Sequence, residues 1–213
     1  MRSQAARRLV VATANPGKLR EFRSLLDGLP FELTSLGELS LPSPEETGRS
    51  FLENALLKAR HAAALSGCAA VADDSGLEVD ALGAAPGIYS ARYAGADADD
   101  GANNAKLMRE LSGVSHERRQ ARYRCALAFV EPADDVAPLI AEAAWEGFIL
   151  DAPRGTGGFG YDPYFWLPDL GKSAAELDPE VKNRLSHRGK AMRILREQLA
   201  GRPGARDSGA GRS

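Results

Sequence analysis

The first part of the chain contains two kinds of hydrophobic pattern, a short continuous apolar run and a helical repeat. Residues 9–12 are a short apolar run and predict a buried strand, whereas residues 19–29 repeat Leu and Phe at helical spacing and predict a helix. Residues 31–36 predict a second strand. The chain therefore opens with strand, helix and strand, an order typical of α/β proteins.

The next segment predicts a long helix. Residues 51–65 are rich in Ala and Leu, Ser50 is a typical N-cap residue, and Gly67 is typical of a helix end. The apolar residues 68–72 then predict a short strand. We expect this strand to end at the pair of aspartates that follows it, so that both carboxylates lie at the strand tip.

From Arg122 onward the apolar pattern has a period of two, as in a strand with one buried face. That face would carry Tyr123, Cys125, Leu127 and Phe129. Residues 138–150 predict a second long strand, and the polar segment between the two predicts a turn and an antiparallel hairpin. A closing helix is predicted over residues 189–200. The fold class is mixed α/β, in which strand and helix units join a later hairpin.

Composition limits the class of protein. The 213 residues carry 27 Lys and Arg against 29 Asp and Glu, so no overall basic charge favours a nucleic-acid or membrane partner. Both cysteines lie in apolar runs and are predicted to be reduced. No run of 18 apolar residues is present, so we expect no transmembrane helix and a cytoplasmic location. Residues 1–200 predict a single domain, and residues 201–213 predict a disordered tail.

The phosphate turn, defined as residues 13–18, is the first segment with candidate chemistry. A turn that opens a helix points backbone N–H groups and the positive end of the helix dipole at one place, and Lys18 adds a full positive charge. This arrangement suits a phosphate group. It is not a Walker A loop, because Leu19 stands where that loop has Ser or Thr. The alternative is an ordinary turn with an exposed lysine.

Carboxylates form the second candidate group. They are Glu45, Glu46, Glu53, Asp73 and Asp74. Carboxylate oxygens near a strand end suit magnesium that bridges to phosphates. Consecutive aspartates on an extended segment point in opposite directions, so that one can bind metal while the other orients the loop. The alternative is a solvated turn, the common place of charged residues.

Two later segments are candidates for nucleotide contacts. The glycine loop, residues 155–163, carries Phe159 and Tyr161, either of which can stack on a base. Its glycines are spaced as in a dinucleotide fingerprint, but no helix is predicted after Gly160, which argues against an NAD-dependent enzyme. The basic cluster, residues 182–190, suits an anion, and Ser186 within it is a typical N-cap. The alternatives are a flexible surface connection and a solvated helix face.

The order of the motifs is more specific than any single motif. The ordered segments are residues 13–18, 45–63, 72–95, 155–163 and 186–191. In this order and at these separations they resemble the inosine triphosphate pyrophosphatase family, and within it the bacterial dITP/XTP pyrophosphatases. The resemblance covers residues 8–200.

This resemblance implies hydrolysis of ITP, dITP and XTP to the nucleoside monophosphate and diphosphate, which keeps these nucleotides out of DNA and RNA. It also implies magnesium, a homodimer, and an elongated mixed β-sheet with flanking helices that form two lobes around a nucleotide cleft. By motif, Glu46 and Asp74 would bind magnesium, Asp74 would accept the proton of the attacking water, and Lys18 would assist catalysis. The implied substrate contacts are Thr13, Ala14, Asn15, Pro16, Gly17, Lys18, Ser75, Phe159, Gly160, Tyr161, Asp162, Lys182, His187 and Arg188.

Two other functions remain open at this point. A related hydrolase of modified pyrimidine or methylated nucleotides would also release diphosphate, and a nucleotide-sensing module would bind without turnover. Glu46 and Asp74 favour an enzyme, because a binding module has no need of a metal and a base. Donors such as His187, Arg188 or backbone N–H groups can select a 6-oxo over a 6-amino purine.

Overall fold

The structure is a computed structural model that describes residues 7–13, 15–132 and 137–201. Its strands are β1 (Arg7–Val11), β2 (Phe31–Ser35), β3 (Ala69–Val79), β4 (Gln120–Val130), β5 (Leu139–Ile149), β6 (Phe165–Leu167) and β7 (Lys172–Ser173). Its α-helices are α1 (Pro16–Leu25), α2 (Phe51–Ser66), α3 (Asp100–Glu110), α4 (Pro179–Leu185) and α5 (His187–Gly201). No helix in these ranges is long and apolar enough to cross a membrane.

All seven strands form one sheet in the order β2, β1, β3, β4, β5, β6, β7. The first three strands are parallel and are connected through α1 and α2, as the strand and helix pattern predicts. From β3 to β7 the neighbours are antiparallel, and β4 with β5 is the predicted hairpin. The predicted α/β fold with a mixed sheet and flanking helices is confirmed. The division into two lobes stays a prediction, as does the single domain over residues 1–200, and residues 202–213 of the predicted tail lie outside the described residues.

The prediction that the third strand ends before the two aspartates is wrong. β3 continues through Asp73 and Asp74 to Val79, paired along this length with β4. On the other edge β1 pairs only with the start of β3, and its last residue, Val11, lies opposite Val71. Hydrogen bonds to β4 keep the polar half of β3 extended. Both carboxylates therefore lie in the middle of a long strand, at the place where one strand edge loses its neighbour.

Helices cover both faces of the sheet. On one face, Ala59 and Ala63 of α2 belong to a core cluster with Ala72 of β3. On the other face, Phe22 of α1 and Leu195 of α5 pack in a second cluster with β3 and β4. Because helices cover the second half of β4 from both sides, its second face is buried from Ala126 onward, in addition to the face that the period of two predicted.

The helix ends follow from local capping. The Ser50 hydroxyl accepts a hydrogen bond from the backbone N–H of Glu53 at 3.1 Å, and Gly67 ends α2 at a φ of 65°, so both predicted ends are confirmed. α5 begins two residues before its predicted start, and Ser186 caps it by accepting from the N–H of Gly189 at 3.1 Å. The sequence pattern did not predict α4.

Candidate active site

Asp73 and Asp74 are adjacent on β3 and point to opposite faces of the sheet. Asp73 lies on the face covered by α1 and α5, and Asp74 lies on the face covered by α2. Both are buried, with 1% and 6% of their surface exposed. The strand therefore separates two groups of polar side chains, one around each carboxylate.

One carboxylate oxygen of Asp73 gathers donors from three parts of the chain. Its Oδ2 lies 3.0 Å from Nζ of Lys18 on α1. The same oxygen accepts hydrogen bonds from Nε and Nη2 of Arg188 at 3.2 and 3.0 Å, and from the Ser75 hydroxyl at 2.9 Å. The structure thus brings together three of the predicted substrate contacts, Lys18, Ser75 and Arg188, around a single anion.

Asp73 stays ionised. Burial raises the pKa of its carboxyl, but the positive charges of Lys18, Arg188 and Lys58 together outweigh burial and hold the pKa well below its ordinary value. Its second oxygen, Oδ1, is buried and has no hydrogen-bond partner among the described residues. Asp73 is therefore an anchor for cations and not a proton acceptor.

A second set of ion pairs lies on the same face. Nζ of Lys182 donates to Oδ2 of Asp162 at 2.6 Å and to Oε1 of Glu21 at 3.3 Å, and Glu21 also pairs with Arg188. The Asp162 carboxylate accepts the backbone N–H of Phe159 at 2.8 Å. Asp162 and Lys182 thereby connect the glycine loop to the basic cluster.

On the other face, Asp74 and Glu46 converge on one ammonium group. Nζ of Lys58 lies 2.7 Å from Oδ1 of Asp74 and 3.0 Å from Oε1 of Glu46. The other oxygen of Asp74 accepts from Nδ2 of Asn54 at 3.2 Å, and the other oxygen of Glu46 accepts from Nη1 of Arg92 at 2.9 Å. The two predicted metal ligands thus share one cation.

The two carboxylates that share Lys58 differ in acidity. Burial raises the pKa of Asp74, and the charges of Lys58 and Lys18 offset this only in part, so the pKa stays above its ordinary value. Burial also raises the pKa of Glu46, but Lys58 and Arg92 outweigh it and bring the pKa below its ordinary value. Asp74 is therefore the better proton acceptor of the two, whereas Glu46 stays ionised to lower pH.

The phosphate turn follows β1, and its residues 16–18 form the start of α1, so the predicted opening of a helix is confirmed. Oδ1 of Asn15 accepts the backbone N–H groups of Gly17 and Lys18 at 2.8 and 3.1 Å, and Pro16 is the first residue of the helix. Two of the N–H groups that the sequence assigns to a phosphate are thus satisfied by a side chain of the turn itself.

The phosphate turn is in contact with the glycine loop. A Cβ atom on Gly17 would lie 2.8 Å from the ring of Phe159, so only glycine permits this approach. The hydroxyl of Thr13 accepts the N–H of Asn15 at 3.1 Å. Ala14, another predicted contact, lies outside the described residues.

Of the two aromatic side chains expected to stack on a base, only Phe159 is placed for it. Tyr161 is buried, and its hydroxyl donates to the backbone carbonyl of Ser90 at 2.8 Å. Phe159 is partly exposed, with Nζ of Lys182 4.8 Å from its ring centroid. The expectation that Tyr161 can stack on a base is wrong for this structure, because its ring belongs to the core.

His187 is buried beside the cations. Its ring stacks on Tyr123 with the centroids 4.8 Å apart and an interplanar angle of 11°. Burial and the charges of Arg188 and Lys182 hold the pKa of His187 well below its ordinary value, so the imidazole is neutral. Its Nδ1 has no hydrogen-bond partner among the described residues.

Comparison with known proteins places the chain in a family. The model of the Ham1 family matches residues 9–198. The chain belongs to the Ham1 family. A dITP/XTP pyrophosphatase of Methylococcus capsulatus is 56% identical over 193 residues, which are 91% of this chain and 96% of that protein.

Solved structures of similar proteins agree with the fold. The structure of a HAM1 protein from Coxiella burnetii has a TM-score of 0.84 and 45% identity, and the match covers 92% of this chain and 99% of that one. A nucleoside-triphosphatase / dITP/XTP pyrophosphatase from Mycobacterium abscessus has a TM-score of 0.69 and 46% identity, over 88% and 98% of the two chains.

Sequence reasoning missed several polar residues of this Ham1 family site. Asn54 and Lys58 are one helical turn apart on α2 and lie on its buried stripe, between alanines that pack on the sheet. The sequence did contain a signal for them, because polar residues stand where the helical period requires apolar ones, and such residues are candidates for a buried polar site. Glu21 and Arg92 carried no such signal, because their partners are distant along the chain.

The charges of this Ham1 family site balance. Five basic side chains pair with five carboxylates: Lys18, Lys58, Arg92, Lys182 and Arg188 with Glu21, Glu46, Asp73, Asp74 and Asp162. Within the described residues, no group of three or more His, Cys, Asp or Glu side chains is arranged to hold a metal by itself. These ten side chains therefore offer a polyanion many hydrogen-bond donors, but their net charge is zero.

Proposed function

We propose that this Ham1 family member hydrolyses the non-standard purine nucleoside triphosphates ITP, dITP and XTP to the nucleoside monophosphate and diphosphate. The family match and relatives named dITP/XTP pyrophosphatase support the activity. Such hydrolysis removes these nucleotides before they are incorporated into DNA or RNA. The structural observation that carries the proposal is the convergence of Glu46 and Asp74 on one cation.

Asp74 accepts the proton of the attacking water. Its raised pKa suits a general base, and Asn54 and Lys58 hold its two oxygens in place. As the water oxygen forms a bond to the α-phosphorus, the water proton passes to Asp74. The bond from the α-phosphorus to the oxygen bridging to the β-phosphate breaks, and diphosphate leaves with that electron pair.

We propose magnesium as the cofactor, because the donor set fits it. Magnesium binds through one or two carboxylates together with substrate phosphates, and Glu46 and Asp74 supply two carboxylates directed at one cation. When bound, the ion neutralises negative charge on the phosphates. Lys58, the cation that now bridges these carboxylates, competes with the ion for the same oxygens.

The balanced charge of the site also supports a divalent cation. A triphosphate brings several negative charges to ion pairs that are already neutral as a set. Lys18 contacts the phosphates only by sharing its charge with Asp73. An additional positive charge compensates for this sharing, as electrostatic catalysis of phosphoryl transfer requires.

The glycine loop and the basic cluster recognise the base. Phe159 offers a ring face for stacking, and the donors of Arg188, His187 or nearby backbone N–H groups face the 6-oxo group. A 6-amino group would place a donor against these donors and leave them unpaired. This difference selects against ATP.

We further propose that the protein is a cytoplasmic homodimer. Sedimentation of the purified protein distinguishes a dimer from a monomer, because the mass per chain is 22.7 kDa. A single species with the mass of one chain, at micromolar protein concentration, contradicts the dimer.

Incubation with ITP, XTP, dGTP and ATP in the presence of magnesium, with identification of both products, tests the activity. We expect ITP and XTP to give the nucleoside monophosphate and diphosphate, and ATP to be turned over much more slowly. Release of orthophosphate, or equal turnover of ATP, contradicts the proposal. Turnover confined to modified pyrimidine or methylated nucleotides assigns the chain to the related hydrolase, and tight binding without turnover assigns it to a sensing module.

A further inference from the structure

We infer that α3 positions the glycine loop for substrate through Asp100 and Asn104, two residues outside the predicted site. The inference rests on the proposed function, since it concerns how the loop that carries Phe159 is held. The backbone N–H of Gly160 donates to Oδ2 of Asp100 at 2.6 Å, and the backbone carbonyl of Gly160 accepts from Nδ2 of Asn104 at 2.9 Å. Both polar groups of one loop residue are thus bound by side chains of one helix.

Asp100 and Asn104 form a clamp whose Asn104 half is fixed by a further hydrogen bond. The two residues are four positions apart and therefore share one face of α3. Nδ2 of Asn104 also donates to the backbone carbonyl of Asp100 at 2.8 Å, which fixes the orientation of its buried amide. Leu107, one turn further on, is fully buried in the core and fixes the helix to the sheet.

Gly160 needs such a clamp because of its conformation. Its φ of +64° lies in the left-handed region, which glycine adopts readily but does not prefer strongly over other regions. In the glycine loop, residues 155–158 are exposed. The hydrogen bonds to Asp100 and Asn104 therefore select one loop conformation from several that glycine permits.

Phe159 transmits the position of Gly160 to the substrate site. Its N–H is held by Asp162, and its ring packs against Gly17 of the phosphate turn and lies beside the ammonium of Lys182. A displacement of Gly160 shifts this ring relative to both. Asp74 lies on the opposite face of the sheet, so the clamp affects substrate binding and leaves the proton transfer intact.

Substitution of Asp100 tests the inference through KM and kcat for XTP. We expect Asp100→Ala to raise KM about tenfold and to leave kcat within about twofold, as loss of one charge-assisted hydrogen bond that orders a binding loop would do. Asp100→Asn retains an acceptor oxygen and should restore most of the affinity. The matched control is Asp97→Ala, which removes an exposed carboxylate just before α3 and should leave both constants unchanged.

Hydrogen exchange of the glycine loop supplies a readout that does not depend on activity. The loop amides should exchange faster in Asp100→Ala than in the wild-type protein or Asp97→Ala. If Asp100→Ala fails to fold, Asn104→Ala opens the other half of the clamp and provides the same comparison. An unchanged KM overturns the inference, whatever the exchange or kcat, and so does a raised KM without faster exchange of the loop amides. Absence of XTP turnover by the wild-type protein contradicts the proposed function instead, and the exchange experiment still tests the clamp.

Discussion

Asp73 and Asp74 have the same side chain and adjacent positions on one strand, yet the fold gives them opposite properties. The Asp73 carboxylate is bound directly by Lys18, Arg188 and Ser75, and its pKa is held low. The Asp74 carboxylate shares a single lysine with Glu46, and burial raises its pKa. The number of cations supplied by other elements, and not the residue type, therefore separates a carboxylate held ionised from one whose pKa is raised.

The largest expected effect is on turnover when the proposed base is removed. Asp74→Asn should lower kcat for XTP about 1,000-fold, because a general base contributes roughly 100- to 10,000-fold, and should leave the nucleotide Kd within about threefold. Steady-state kinetics and calorimetric binding measure the two quantities. Asp169→Asn, an exposed carboxylate-to-amide change, is the control. Loss of binding together with turnover would make Asp74 mainly a metal ligand.

The next effect is on stability when the anchor is removed. Asp73→Asn should lower the free energy of unfolding by about 3 kcal/mol, because Lys18 and Arg188 lose their buried partner while Arg188 keeps Glu21. Asp74→Asn should cost about 1 kcal/mol or less, since burial already disfavours its charge. Urea denaturation of both variants measures the difference. Equal losses would remove the distinction between the two aspartates.

A smaller effect is expected for the second carboxylate on the Asp74 face. Glu46→Gln should raise the magnesium concentration for half-maximal activity about tenfold, because one of the two proposed carboxylate ligands loses its charge. Its exposed neighbour provides the matched control, Glu45→Gln, which should leave the magnesium requirement unchanged. An unchanged requirement in Glu46→Gln would exclude Glu46 as a ligand.

The smallest effect concerns the pH dependence of stability on the Asp73 face. The pKa of His187 is held below its ordinary value by burial and by Arg188, so the unfolded chain binds a proton that the folded chain does not. The contribution is fully present above about pH 6.5 and is lost as the pH falls, by at most about 1.4 kcal/mol per pH unit. His187→Gln removes this group. Its free energy of unfolding should therefore depend less steeply on pH between about pH 5 and 7, by at most that slope. The control is His116→Gln, which changes an exposed histidine and should leave the pH dependence of stability unchanged. An identical slope in the wild-type protein and His187→Gln would contradict a neutral buried imidazole.

Much of the fold was predictable because period and capping are local signals. Ser50 and Gly67 mark the ends of α2 in sequence and in structure. The end of β3 was not predictable in this way, because Asp73 and Asp74 interrupt the apolar pattern although both are buried. Hydrogen bonds to β4 continue the strand past them. α4 is seven residues long and its side chains are largely polar, so it offers little helical periodicity.

The candidate site was predictable as a list of segments but not as an arrangement. The order of motifs pointed to Lys18, Asp74 and Arg188, which the fold places around one part of β3. The assignment of each cation to one face requires the three-dimensional contacts. The pairing of Glu21 with Lys182 joins residues 161 positions apart, a separation about which local patterns carry no information.

The central claim is that water attacks the α-phosphorus of the substrate. Hydrolysis of XTP in water enriched in ¹⁸O, followed by mass spectrometry of both products, tests it most directly. The account predicts one labelled oxygen in the nucleoside monophosphate and none in the diphosphate. Label in the diphosphate would show attack at the β-phosphorus and would contradict the account.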